Sequence, residues 1–399
     1  MILNKPAILG GKPVRESYLI FGSPMILKEE MDEVLDSMRS CWLSTGPKVT
    51  RFENLIKKYL KSKFVKGVNS CTAAMHLSLI VSKIGPGDEV ITTPLTFSAT
   101  ANVISHVGAK PVFADVEKDT GNIDVLEIEK KITKKTKAIM PVHLYGRPCK
   151  MDEILKLARK YNLIVIEDAA HALGASYKGK KIGTIGDFTC FSFYATKNLT
   201  TGEGGIISTR NKKWADLIEM YALHGMSKGA WKRYSDKGYS HYLIKVPGYK
   251  YNMMDLQAGI GIQQFNKFEK MQKRRKEIWG MYNKAFSDLP LILPTPTEKD
   301  DVHAYHLYTI LIKPEKLKIN RDLFLKALHE ENIGIGVHFI SLHIHPYYKN
   351  LYKLQKNDFP NASFISDRTI SLPLSGKLTN QDVSDVISAV RKIVNYYSK

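Results

Sequence analysis

Between Phe64 and Arg210 short β-branched runs alternate with helix-patterned segments, and no other feature constrains the fold as tightly. "FVKGV" leads into a helix from Thr72, "EVITTP" precedes "FSATANVISHVG", and "KPVFADV" follows. Then come "KAIMPVHLYG", a helical pattern across "MDEILKLARKYN", and the runs "LIVIEDAAH", "DFTCFSFYA" and "GGIISTR". Strands that alternate with helices pair in parallel through crossover connections, which predicts an α/β domain with helices on both faces of its sheet. Ligands of such sheets bind at the carboxyl ends of the strands, so chemistry is sought there. Beyond Gln264 the pattern changes to a long charged helix, "NKFEKMQKRRKEIWGMYNKAF", then a Pro-punctuated link and the strand-like "YHLYTILI". A smaller α+β domain is expected there, and 399 residues leave room for both.

A formal charge of +20 raises the question of a nucleic acid or another anionic partner. The basic residues of "KKYLKSK", "EKKITKKTK" and "QKRRKE" are interspersed with apolar positions, however, which is the pattern of solvated helix faces. No zinc-finger, RNP-like or helix-turn-helix pattern accompanies them, so no nucleic-acid partner is expected. No apolar run approaches the roughly 20 residues of a membrane helix. "MILNKPAILGGKP" is too broken by Pro and Gly for a secretion signal. Cys41, Cys71, Cys149 and Cys190 are widely spaced without a CxxC, which argues against a disulfide framework or a zinc site. The expected setting is the cytoplasm, with reduced thiols and no membrane.

The strand ends carry an unusual set of residues. "NSCTAAMHL" after the first strand opens a helix with small polar residues, which suits an anion or an ordinary N-cap by Ser70 or Thr72. Phe97 follows the second strand and reads either as core or as a ring at a site mouth. Asp168 and His171 follow "LIVI", where a carboxylate either caps the next segment or holds a cationic heterocycle. Lys197 ends the apolar "CFSFYAT", where a free ammonium is costly. Taken together, lysine, acid, phosphate cup and stacking ring match the needs of pyridoxal phosphate. A desolvated lysine loses its proton readily and becomes a nucleophile, and an adjacent carboxylate keeps a ring nitrogen protonated.

The segments "STGPKVTRFE", "NSCTAAMHL", "TPLTFSATANVI", "GAKPVFADV", "IEDAAHALGA", "FSFYATKNLTTGEGG" and "GYKYNMMDLQAGIG" resemble, in order, the signatures of the DegT/StrS-type nucleotide-sugar aminotransferases. The resemblance runs from about Phe21 to Ile393. It implies the fold-type I aminotransferase architecture: a large domain with a mostly parallel central sheet flanked by helices, and a smaller C-terminal α+β domain. The expected divisions are an N-terminal arm over 1–26, the cofactor-binding domain over 27–265 and the small domain over 266–399. It further implies pyridoxal 5'-phosphate as cofactor, bonded covalently by Lys197 and paired at its ring nitrogen with Asp168. His171 lies near the ring oxygen, Phe97 stacks on the ring, and Ser70, Cys71, Thr72 and Ser192 take the phosphate. A homodimer is implied in which the "GYKYN" loop, through Asn252 and also Lys250, completes the partner's phosphate site.

Members of that family that remove a hydroxyl have lost the lysine; its presence here favours amino transfer. "YALHGMSKGAWKRY", "GYKYNMMD" and "GIGVHFISLHIHPYY" look most like members acting on UDP-linked 4-keto sugars, with L-glutamate as amino donor. His224, Trp231, Arg233, Lys250 and His338 are the candidate substrate contacts, the cationic ones suiting a diphosphate. His338 and His343 also read as satisfied polar residues and Trp231 as a loop anchor. "LHIHPYY" lacks a carboxylate or cysteine at ligand spacing, so no metal site is expected. The alternatives are a 3-keto-sugar aminotransferase and a non-catalytic sugar-nucleotide-binding protein on the same fold.

Overall fold

The computed structural model describes residues 5–227 and 241–399. In chain order the strands of the large sheet are β1 (Phe64–Val68), β2 (Glu89–Thr92), β3 (Lys110–Phe113), β4 (Thr136–Met140) and β5 (Ile164–Asp168). A two-stranded hairpin follows, β6 (Ser176–Tyr177) with β7 (Lys180–Lys181), and then β8 (Phe188–Ser192) and β9 (Gly205–Thr209). The seven-stranded order is β1-β9-β8-β5-β4-β2-β3. From β8 to β3 all neighbours are parallel, and β9 alone runs against both of its neighbours. That reversal places the end of β1, with Val68 opposite Gly205, at the same sheet edge as the ends of β5 and β8.

Adjacent strand residues divide between two apolar clusters, as strand pleating requires of a sheet covered on both faces. Val165 and Ile206 join Phe52, Ile56 and Phe193 on one face. Ile166 and Ile207 join Ala74, Leu77 and Ile104 on the other. The helix expected from Thr72 spans Cys71–Val81, because Ser70 takes the cap position and its hydroxyl accepts the Ala73 N–H at 3.0 Å.

The C-terminal region carries a second sheet, β10 (Leu291–Ile292), β11 (Tyr308–Ile312) and β12 (Thr369–Leu372), antiparallel throughout. The long helix Phe268–Phe286 bridges the two regions: Phe268 packs in the first core, while Ile278, Tyr282 and Phe286 pack in the second. The N-terminal residues lie on the second region. Ile8, Val14 and Leu19 pack against its core, and the Ala7 and Val14 N–H groups donate to the buried Glu331 carboxylate at 2.8 Å each. No helix among the described residues is long and apolar enough to cross a membrane.

Candidate active site

Asp168 is the last residue of β5 and is almost fully buried. Its Oδ2 accepts the Thr100 hydroxyl at 2.7 Å and its Oδ1 the Ala170 N–H at 3.1 Å. Because Thr100 spends its proton on the carboxylate, the Thr96 hydroxyl at 2.9 Å donates to Thr100. Burial pushes the Asp168 carboxyl up, opposed by these bonds and by the charge of Lys197. One residue earlier, Glu167 points into the protein, bonded to Thr189 (2.6 Å), the Gly186 N–H (2.8 Å) and His143 (2.9 Å). The two carboxylates on successive strand positions thus face opposite ways, and only Asp168 lines a cavity.

Lys197 lies in the connection between β8 and β9, where its N–H donates to the Tyr194 carbonyl at 2.9 Å. Among the described residues its amine takes no hydrogen bond or ion pair. Burial lowers its pKa from 10.5 to about 8, against the pull of Cys71 and Asp168. An amine so placed is a far better nucleophile and base at neutral pH than an exposed lysine. Lys197 and Asp168 open into one cavity of about 630 Å³, lined also by Ser70, Cys71, Thr72, Phe97, His171, Ser192 and His338.

His171 accepts the Tyr145 N–H on Nδ1 at 3.2 Å, so its neutral ring carries the proton on Nε2. Burial holds its pKa well below the usual histidine range, with Lys197 adding to the effect. Its ring lies 4.4 Å from that of His306 and stacks on Phe339 at 6.0 Å. His338 is pushed down to about 4, chiefly by burial, and its Nδ1 lies 2.8 Å from the Ser371 hydroxyl. Phe21 of the N-terminal arm stacks on it at 5.6 Å. Phe97 is 62% exposed, at the mouth rather than in the core.

The turn after β1 is shaped by close backbone approach. A Cβ on Gly205 would lie 2.5 Å from the Ser70 carbonyl and 2.6 Å from the Cys71 nitrogen, so only glycine lets β9 pass the turn. Asn252 pairs with Val68 across an isolated bridge and donates to the Thr45 hydroxyl at 2.8 Å, while its buried Oδ1 lacks a partner among the described residues. Asn252, Lys250 and His224 do not line the cavity of their own chain. The His224 N–H donates to the Tyr249 carbonyl, and both His224 and Lys250 are exposed. Trp231 and Arg233 lie outside the described residues. His343 is a satisfied core histidine between the Ser341 (2.9 Å) and Ser363 (3.0 Å) hydroxyls.

Sequence reasoning did not reach Thr96 and Thr100, the Tyr145 N–H, His306 or Phe339. Thr100 was the most accessible of them: in "TFSAT" it sits one helical turn after Phe97, facing the same end of the sheet. His306 and Phe339 come from the other sheet's region, and no spacing relates them to Lys197.

A mostly parallel sheet with a half-buried lysine and a buried carboxylate facing one cavity at its strand ends defines a fold-type I pyridoxal-phosphate enzyme. The residues fit that cofactor: the half-buried Lys197 amine, without a partner among the described residues, the Asp168 carboxylate and the glycine-cleared turn at a helix N-terminus would suit its aldehyde, ring nitrogen and phosphate. The chain belongs to the DegT/DnrJ/EryC1/StrS aminotransferase family, whose profile matches residues 24–391. It is 56% identical over 383 residues to the protein MJ1066 of Methanocaldococcus jannaschii, covering 96% of this chain and 99% of that one. It is 50% identical over 381 residues to the spore coat polysaccharide biosynthesis protein SpsC of Bacillus subtilis, covering 95% and 98%. Spr1654 of Streptococcus pneumoniae in its PMP-form superposes with a TM-score of 0.89 at 33% identity, over 95% of this chain and 99% of that one; a PLP-form is also known. DesI in the presence of its TDP-sugar product superposes with a TM-score of 0.86 at 28% identity, over 98% and 96%. The protein is a pyridoxal-phosphate-dependent sugar aminotransferase.

Proposed function

We propose that the enzyme moves the amino group of L-glutamate to a UDP-linked 4-keto sugar of the 6-deoxy type, giving 2-oxoglutarate and a UDP-linked 4-amino sugar in the cytoplasm. The observation that carries the reading is the half-buried Lys197 amine and the buried Asp168 carboxylate opening into one cavity of about 630 Å³, of a size that takes a sizeable ligand. SpsC's part in polysaccharide synthesis and DesI's nucleotide-linked product support a nucleotide-sugar acceptor. The choice of UDP and of C4 rests on the segments around His224, Lys250 and His338.

Pyridoxal phosphate, when bound, supplies the electron sink that lets a C–H bond beside an amine break. Lys197 Nζ holds the cofactor between turnovers and, once freed, is the base that takes the proton from the donor's Cα. With a pKa near 8 it is neutral often enough to accept that proton and acidic enough to return it. Asp168, kept in place by Thr100 and the Ala170 N–H, holds the ring nitrogen's proton. The Nε2–H of His171 donates to the ring oxygen, and Phe97 covers the ring face. Ser70, the Cys71 and Thr72 backbone N–H groups and Ser192 bind the phosphate. The burial-raised Cys71 thiol stays protonated and contributes packing rather than charge. His338, held neutral, faces the sugar, and the exposed His224, outside its own chain's cavity, is assigned to the nucleotide end.

The working unit of this reading is a homodimer in which Asn252 and Lys250 serve the partner's site. It is supported by the absence of both from their own chain's cavity and by an exposed apolar row, Met31, Leu35 and Met38, on the helix Lys28–Arg39. The test is to incubate enzyme, cofactor and L-glutamate with UDP-4-keto, dTDP-4-keto and dTDP-3-keto sugars separately and weigh the products by mass spectrometry. Amino sugar from the UDP-4-keto substrate is expected; product from the 3-keto sugar alone would overturn the proposal.

A further inference from the structure

We propose that His306 is a positioning residue for Lys197, acting through Asn198, and that the helix Phe268–Phe286 sets it in place. The inference rests on the reading of Lys197 as the cofactor-bonding lysine. Asn198 follows Lys197 directly and is buried. Its Nδ2 donates to the Ala304 carbonyl at 2.6 Å and to Gln272 Oε1 at 3.1 Å. Its Oδ1 therefore accepts, and the partner is His306 Nδ1 at 2.9 Å, which must carry the ring's proton. Every polar atom of the side chain next to the lysine is thus held, three times over, by elements outside its own strand pair.

His306 reaches the site from the second region, and the bridging helix grips the segment that carries it at two points one turn apart. Gln272 Nε2 donates to the Ala304 carbonyl at 3.1 Å. Arg275 Nη1 donates to the carbonyls of His306 at 3.2 Å and Leu374 at 2.9 Å. Gly174, at φ +97°, makes room for the first grip: a Cβ there would lie 2.5 Å from Gln272 Nε2. Arg275 is buried and its Nε has no partner among the described residues, an arrangement costly for packing alone. The chain of contacts also closes on the other side of the site. The His306 N–H donates to the Tyr145 carbonyl at 3.1 Å, and the Tyr145 N–H fixes His171. One buried histidine from the second region therefore holds both Lys197 and His171, and its neutral ring, kept so by burial, adds no charge beside the amine.

The test reads the lysine itself in the cofactor-free protein. Labelling of Lys197 by an amine-reactive reagent is followed against pH by mass spectrometry, alongside thermal melting, the visible titration with pyridoxal phosphate, and kcat and KM. Wild type is expected to titrate near 8. His306→Phe keeps a ring against His171 but cannot donate to Asn198; it and Asn198→Ala are expected to move the midpoint up by about one pH unit or more, as water reaches the amine. In both, kcat falls roughly tenfold with the KM for L-glutamate unchanged. His306→Asn can still donate from the Nδ1 position and is expected to restore the wild-type midpoint. Unmoved midpoints in folded His306→Phe and Asn198→Ala would overturn the proposal, as would His306→Asn shifting as far as His306→Phe. Should His306→Phe fail to fold, Asn198→Ala and His306→Asn decide. A wild-type protein with no visible band would overturn the reading of Lys197 instead, and the labelling midpoints would still judge the clamp.

Discussion

Lys197 and Asp168 make opposite demands on the same low-dielectric site, and the stability of the cofactor-free protein records the first of them. A lysine whose pKa falls from 10.5 unfolded to about 8 folded binds fewer protons folded than unfolded between those values. Stability therefore rises as pH climbs from 8 to 10.5 and is lost as it falls back through 8, by up to about 3 kcal/mol. Lys197→Met, isosteric and uncharged, is expected to abolish that rise in chemical denaturation series at pH 7.5 and 10, and to be the more stable protein at the lower pH. Asp168→Asn keeps the Thr100 contact but carries no charge; kcat/KM should fall by about 100-fold or more with little change in thermal midpoint. Both residues were legible in the sequence because each ends an apolar run where its charge has no structural use. Thr100 and His306 were not, since a threonine in a helix and a histidine before a strand are unremarkable until the fold brings them to Asp168 and Asn198.

At the level of elements, the turn between β1 and the helix Cys71–Val81 combines what the small polar residues of "NSCTAAMHL" offered in the sequence as alternatives, a helix cap and a place at the cavity. Ser70 caps the helix through the Ala73 N–H and also lines the cavity. Ser70→Ala is expected to cost about 1 kcal/mol in the cofactor-free protein from the lost cap alone. Cofactor affinity, measured by absorbance titration, should fall further than that, whereas a cap without a binding role would leave it unchanged. Gly205→Ala tests the neighbouring strand: its methyl would collide with the Ser70 carbonyl and Cys71 nitrogen, so cofactor affinity should fall more than tenfold even where the protein folds. The alternating pattern made β2, β4 and β5 readable, because parallel strands inside a sheet covered on both faces need continuous apolar runs. It left unread the reversal of β9, because a strand's composition does not record its direction.

At the scale of the whole molecule, the N-terminal segment is tied to the second region at Glu331. Its fully buried carboxylate accepts the Ala7 and Val14 N–H groups and Lys392 Nζ at 2.9 Å, joining the N-terminal arm, the second region and the C-terminal helix Asn380–Tyr397. Arg15 adds bonds to Asp382 and Asp385 of that helix. Glu331→Ala would strand two N–H groups and take the counter-charge from the largely buried Lys392 ammonium, which keeps its bond to the Lys12 carbonyl, at a cost of about 3 kcal/mol. The expected result is a lower thermal midpoint together with tryptic cleavage in the arm after Arg15, whose guanidinium Asp382 and Asp385 engage in the wild type. The arm then goes on to Phe21, whose ring backs His338 in the cavity. The residues that receive it come late in the chain: Ala7 is bonded to a carboxylate 324 positions further on. During synthesis the arm must therefore wait until the chain has been made past Glu331 before it can dock, and the wall of the active site that it supports is finished only after that.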